Sequence, residues 1–301
     1  MTGTNQHFVP LYYLKTFANS KGLYVYDKNE NRFLSENRIP VNKIGFSKNF
    51  YDIEPEYLSR FIQAEISDES FVDSLLEEYN ERISAPLINS FIEFGEMVYR
   101  IKKLNIASII RPNDVIDFLV VQLFRTPFFR KQFEFIARDL YKKHHDKPDL
   151  LKRYSIEDIA RTIHGVYIIC AICNTDIWKN QENDSLIKSM FRFIEFEVID
   201  KFEQLKAMSK TLWVSAVDNC YITSDNPIVI SQSDSGKIEL LFFPITKRCS
   251  ITYSFLEQAN KSVITINEKR KKVLLEQNRI MKDWANRFIY SYNKTDISNR
   301  Q

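Results

Sequence analysis

Leu212-Trp213-Val214-Ser215-Ala216-Val217 is the stretch on which the fold class turns, because from here the apolar pattern repeats every second residue. Cys220–Thr223, Ile228–Ser231, Ile238–Phe243 and Cys249–Phe255 continue it, rich in β-branched and aromatic residues, and each reads as a strand. Turn chemistry separates them at Ser224-Asp225-Asn226-Pro227 and at Asp234-Ser235-Gly236. A helix over Asn267–Trp284 with a basic exposed face follows, and then a last strand, Phe288–Tyr292.

Upstream of this region the spacing is helical. Phe71, Leu75, Leu76, Tyr79 and Ile83 make an apolar stripe that Pro86 ends or kinks. Asn113-Asp114 caps the next helix, whose face carries Val115, Phe118, Leu119 and Leu123. Ser155 is the N-cap of another, with Asp158 at the third helical position, and this helix is expected to run towards Trp178. One more spans Asp184 to about Met208. At the start, Pro10–Ala18 reads as a short helix stopped by Gly22. Tyr24-Val25-Tyr26 and Arg32-Phe33-Leu34 flank a turn as a hairpin, and Ile44–Tyr51 is extended. Segregated runs of this kind indicate an α+β fold rather than alternating βαβ units. The expectation is one domain over residues 1–301: a β-hairpin unit (1–55), a helical middle (56–210) and a strand-rich third with a late helix (211–301), sharing one core.

Composition narrows the function classes. At 301 residues, 44% apolar and 27% charged, the chain can bury a large core. Aromatics are abundant, with 23 Phe and 15 Tyr, whereas 6 Gly argue against glycine-rich phosphate loops. The Walker, Rossmann, G-x-S-x-G and H-E-x-x-H patterns do not occur. A net charge of +3 permits a nucleic-acid partner without demanding one. The most apolar stretch, Val166–Cys173, is about half the length of a membrane span, and the first residues lack a secretory leader, so no membrane association is expected. Four cysteines do not make a disulfide framework; the expected setting is the cytoplasm, with the thiols reduced. Order is expected to be lowest in the first few residues and in Lys294–Gln301.

Three segments carry candidate chemistry, each with a plain structural alternative. His7, in Gln6-His7-Phe8-Val9-Pro10, can be a general base or a structural cap. Gln122 and Arg125 lie three apart on a helix before Pro127, where Arg125 can present a planar fork to a phosphate or close an internal ion pair. Asp225 and Asn226 can face a cleft or simply form their turn. Other features are weaker. Cys170 and Cys173 have C-x2-C spacing within an apolar helix and no second pair, which argues against zinc. His144-His145 falls in a charged helix end, and His164 reads as a core histidine. Lys269-Arg270-Lys271-Lys272 reads first as a solvated face and second as a phosphate attractor.

Gln6-His7-Phe8-Val9-Pro10 with Tyr13-Leu14-Lys15 and Phe17, followed by Gly22-Leu23-Tyr24-Val25-Tyr26-Asp27 and Phe50-Tyr51, resembles the opening of a bacterial family catalogued as domain of unknown function 4238. Gln122, Arg125 and Pro127 resemble its central helix, Thr223-Ser224-Asp225-Asn226-Pro227 its late turn, and Phe243-Pro244-Ile245-Thr246 the strand end after it. Ala285-Asn286-Arg287 with Ile289-Tyr290-Ser291 resembles its C-terminal segment, whereas Leu11 stands where a longer polar or basic residue is expected. The resemblance brings no established activity. It singles out His7, Gln122, Arg125, Asp225 and Asn226 among the polar residues.

The resulting expectation is a phosphodiester-cleaving hydrolase, a ribonuclease or other nuclease, in a bacterial antiviral-defence setting suggested by the type of family. His7 would act as general acid or base, Asp225 would fix its tautomer and Arg125 would stabilise phosphate charge, with Gln6, Gln122 and Asn226 positioning the substrate. A divalent metal between His7 and Asp225 has too few ligands to argue for, so no metal site is assigned. The alternative is a non-catalytic binding or scaffold module in which the same polar residues form a structural network. Nucleic acid or a partner protein is the expected partner.

Overall fold

The computed structural model describes residues 5–62, 66–101, 112–143, 155–173, 197–255 and 262–298. In chain order the elements are β1 (Asn5–His7), α1 (Leu11–Lys15), β2 (Tyr24–Asp27), β3 (Arg32–Phe33), β4 (Phe46–Lys48), α2 (Pro55–Ile62), α3 (Phe71–Tyr79), α4 (Ala85–Ile101), α5 (Pro112–Phe124), α6 (Pro127–Lys143) and α7 (Ile156–Cys173). They continue with α8 (197–207), β5 (Ser209–Ser215), β6 (Thr223–Ser224), β7 (Val229–Gln232), β8 (Ile238–Pro244), β9 (Cys249–Ser254), β10 (Ser262–Ile266), α9 (Lys271–Trp284), β11 (Phe288–Ser291) and α10 (Lys294–Ser298). The fold is α+β. The chain divides into two compact units, each assembled from three stretches of sequence: Met1–Phe8, Ser47–Glu81 and Asp117–Glu203 in the first, and Val9–Phe46, Arg82–Ile116 and Gln204–Gln301 in the second.

The first unit is helical around α7, which is buried on most of its surface from Ala160 to Ala171. Its N-terminus closes as a reciprocal capping box: the Ser155 hydroxyl accepts the Asp158 N–H at 3.1 Å, and the Asp158 carboxylate accepts the Ser155 N–H at 3.1 Å. Phe133 and Phe124 pack on Tyr167 with ring centres 4.6 and 5.2 Å away. His164 is a core histidine whose Nε2 meets the Phe124 carbonyl at 2.7 Å, and burial pushes its pKa down to about 3. Gly165 lets α7 approach closely, since a Cβ there would run into Ile53 and crowd Val72. The continuation towards Trp178 and the pair His144-His145 lie outside the described residues.

The second unit holds a five-stranded sheet in the order β10-β5-β9-β8-β7 and a four-stranded sheet in the order β3-β2-β11-β6. All the pairings are antiparallel except β10 on β5. The helix α4 packs on β5 and β9, and Gly95 permits the approach: a Cβ there would stand 2.9 Å from both Arg248 and Cys249. The resemblance motifs are mostly core here. Tyr13 is fully buried, stacks on Phe243 at 5.2 Å, donates to the Pro244 carbonyl at 2.6 Å and meets the Thr223 hydroxyl at 2.8 Å. Gly22 takes φ +107°, and a Cβ would strike the Ile39 carbonyl.

Four sequence expectations are corrected. The chain is extended at Asn5–His7 and Ser262–Ile266, where no strand was expected. Ile83 leaves the apolar stripe and is 43% exposed, because residues Asn80–Ser84 form a π-helical turn that rotates the face. Pro112, ahead of Asn113-Asp114, takes the first position of α5. The tail forms α10 and buries Asp296 and Ile297, with the Asp296 carboxylate accepting from Asn219 Nδ2 at 3.0 Å.

Candidate functional site

Five of the six residues selected from sequence are interior. Gln6, Gln122, Arg125, Asp225 and Asn226 each keep 3% or less of their surface exposed, whereas His7 is half-buried. Gln6, His7, Gln122 and Arg125 belong to the first unit, and Asp225 and Asn226 to the second.

In the first unit Arg125, just past the end of α5, is the hub. Its Nη2 donates to the His7 carbonyl at 2.5 Å and its Nη1 to Asn80 Oδ1 at 3.3 Å, while its own carbonyl accepts the Tyr51 hydroxyl at 2.9 Å. Gln6 reinforces the arrangement: Oε1 accepts the Tyr51 N–H at 2.5 Å and Nε2 donates to Asp52. The motif's glutamine and the backbone of its histidine thus hold the chain around Tyr51. Among the described residues, neither amide atom of the buried Gln122 meets a hydrogen-bond partner. Arg130 donates to the Phe50 carbonyl and lies over the Phe50 ring at 4.6 Å.

Sequence reasoning missed Asp73 on α3. Burial, then the nearby charge of Glu77 and, more weakly, that of Asp52, push its carboxyl pKa up to about 6 against the opposing charge of Arg125. The signal available was faint: Asp73 precedes Leu76 and Tyr79 on one helix, but only the fold sets it against Arg125.

In the second unit Asp225 follows β6 and grips the strand that β6 pairs with. Oδ1 accepts the Asn286 N–H at 3.0 Å, Oδ2 the Arg287 N–H at 2.9 Å, and the Asp225 N–H donates to the Phe288 carbonyl at 3.0 Å. Burial pushes its pKa up, and the backbone amides of Phe288, Arg287 and Asn286 hold it back. The Asn226 N–H donates to Ser224 Oγ at 3.1 Å, a side-chain-closed turn. The late-turn motif therefore sets the register of β6 on β11, Ser224 opposite Ile289.

The family described as Protein of unknown function (DUF4238) matches residues 5–295, nearly the whole chain. The chain belongs to that family. No curated protein and no solved structure matches. Among the described residues no group of three or more His, Cys, Asp or Glu side chains is placed to hold a metal ion, and no helix is long and apolar enough to cross a membrane.

Proposed function

We propose that this DUF4238 chain is a non-catalytic binding module whose family-motif polar residues serve the fold. The support is the use made of its two most deeply buried candidate charges. Arg125 directs its guanidinium at the His7 carbonyl and Asn80, and Asp225 directs both carboxylate oxygens at backbone N–H groups. Groups committed in this way order the chain and have their bonding positions already taken, Arg125 by a carbonyl and an amide oxygen and Asp225 by backbone N–H groups, rather than by a phosphate or a histidine ring. All four cysteines are free, Cys170, Cys220 and Cys249 of them buried, which supports a reducing, cytoplasmic setting.

The phosphodiesterase reading keeps one observation in its favour. Half-buried His7 shares the Arg125 hub with Asp73, whose carboxyl takes up a proton near pH 6. In that scheme His7 is the general base, Asp73 exchanges its proton near pH 6 and Arg125 stabilises charge on the phosphate.

One assay separates the two. Labelled RNA and DNA are incubated with the full chain and with His7→Ala, with and without magnesium or manganese, and both proteins are melted. The module reading expects the same background of cut product from both. Cleavage that disappears in His7→Ala at an unchanged melting temperature overturns it in favour of the nuclease.

A further inference from the structure

The second unit carries an open groove of about 1070 Å³ along α9, bounded opposite by β2, β11 and α10. Tyr26 and Ile289, paired across β2 and β11, lie in it. Phe33 stands opposite Tyr26 on β3 and meets its ring edge to face at 5.3 Å. Tyr24, on the same face, is 6.4 Å from Phe33. All three rings are half-exposed, on a face of an antiparallel sheet. Arg38 lies over Tyr24 at 4.6 Å.

The charges around these rings are not all used internally. Arg279 is answered by Glu276 at 2.5 Å and Asp283 at 3.1 Å. Lys28 instead donates to the Asp283 and Ala285 carbonyls, contacts that orient its ammonium without cancelling the charge, whereas Lys282 donates to the Ile297 carbonyl with the Asp296 and Asp283 carboxylates close enough to offset part of its charge. Lys272 is exposed, lines the groove, and closes the run Lys269-Arg270-Lys271-Lys272, so one end of the groove adjoins four consecutive cations. That run sits where α9 begins, at the positive end of the helix dipole, a placement that costs helix stability. An anionic ligand would reverse the cost.

We propose that this groove binds a single-stranded polynucleotide, a base laid against Tyr26 and its phosphates drawn to Lys272 and the run before it. Rings with cations alongside are what a single strand requires, since each base offers a stacking face and each linkage a negative charge. A duplex hides its base faces, and an acidic peptide would answer the lysines while leaving the rings idle. The inference rests on the binding-module reading and names the ligand class of that module.

The test is fluorescence anisotropy on the full chain, using labelled RNA and DNA single strands of about 12 nucleotides, a duplex of equal length and a polyglutamate peptide, at low and moderate salt. Single strands are expected to bind at least about tenfold more tightly than duplex or peptide, and to weaken as salt rises. Tyr26→Ala is expected to weaken binding about tenfold or more, Tyr26→Phe to restore it, and the exposed Lys272→Glu to weaken it about fivefold with melting unchanged. Tighter RNA than DNA names RNA as the source, and equal binding names any single strand. No binding, equal binding of duplex or polyglutamate, or a Tyr26→Ala indifferent to the strand overturns the proposal. Should Tyr26→Ala fail to fold, Lys272→Glu decides. A strand that is bound and also cut leaves the groove standing and removes the module reading; no binding and no cutting does the reverse.

Discussion

Arg125 in the first unit and Asp225 in the second meet the same difficulty with opposite charges, for each buries an ionisable group and turns it on the main chain. Asp225 is closed: both oxygens are answered by backbone N–H groups of one segment, and the pair works as a clasp between β6 and β11. Arg125 is more open. Its bonds reach two separate segments, Asp73 beside it has a raised pKa, and its helix neighbour Gln122 is buried with both amide atoms unanswered among the described residues. A buried charge saturated by backbone donors can do little but hold structure, whereas one with incomplete neighbours keeps chemistry in reserve.

The largest effect that would break this contrast is expected from Arg125→Met. It leaves the His7 carbonyl and Asn80 without their donor, for a loss of about 3 kcal/mol in urea unfolding. A loss under about 1 kcal/mol would mean the hub is not structural. Asp225→Asn comes next, at about 2 kcal/mol, because an amide turns its NH2 towards one of the two backbone donors it must accept from. A neutral result would show the clasp to be dispensable. The smallest effect sharpens the comparison through pH. With its folded pKa near 6 and an unfolded value near 4, Asp73 contributes stability that is complete below about pH 4 and lost as pH rises through about 6. Solvent screening of this partly exposed group reduces the span to about 1 kcal/mol. Asp73→Asn should flatten that part of the stability profile, measured by urea titration at several pH values; an unchanged slope would place the carboxylate in water.

Local signals were legible wherever local chemistry settles the outcome. The hairpin Tyr24–Phe33, the strands β5, β7, β8 and β9 and the cap at Ser155 follow from alternation, turn residues and spacing, whereas the strand expected at Cys220–Thr223 is irregular over Cys220–Ile222 and pairs only at Thr223–Ser224. The strand β10 was not legible, because it pairs parallel to β5 across an intervening stretch of chain, a pairing no local pattern announces. The tail was expected to be loose from its terminal position, and within its described residues Lys294–Ser298 it is fixed by Asn219 and Asn293 on Asp296. The candidate site residues stand out in the sequence as polar positions in apolar surroundings, yet nothing in Arg125 or Asp225 distinguishes a partner carbonyl from a substrate phosphate.

The sequence by itself determined the α+β class, the family and most of the elements, since hydrophobic period and capping residues act over a few positions and are written in order. Only the tertiary structure decided that the motif glutamine, arginine and aspartate grip backbone, that Asp73 is pushed towards neutrality, and that Tyr26 and Lys272 share one groove. The reason is that burial and hydrogen-bond partners belong to the environment around a side chain, and that environment is assembled from segments far apart in the chain.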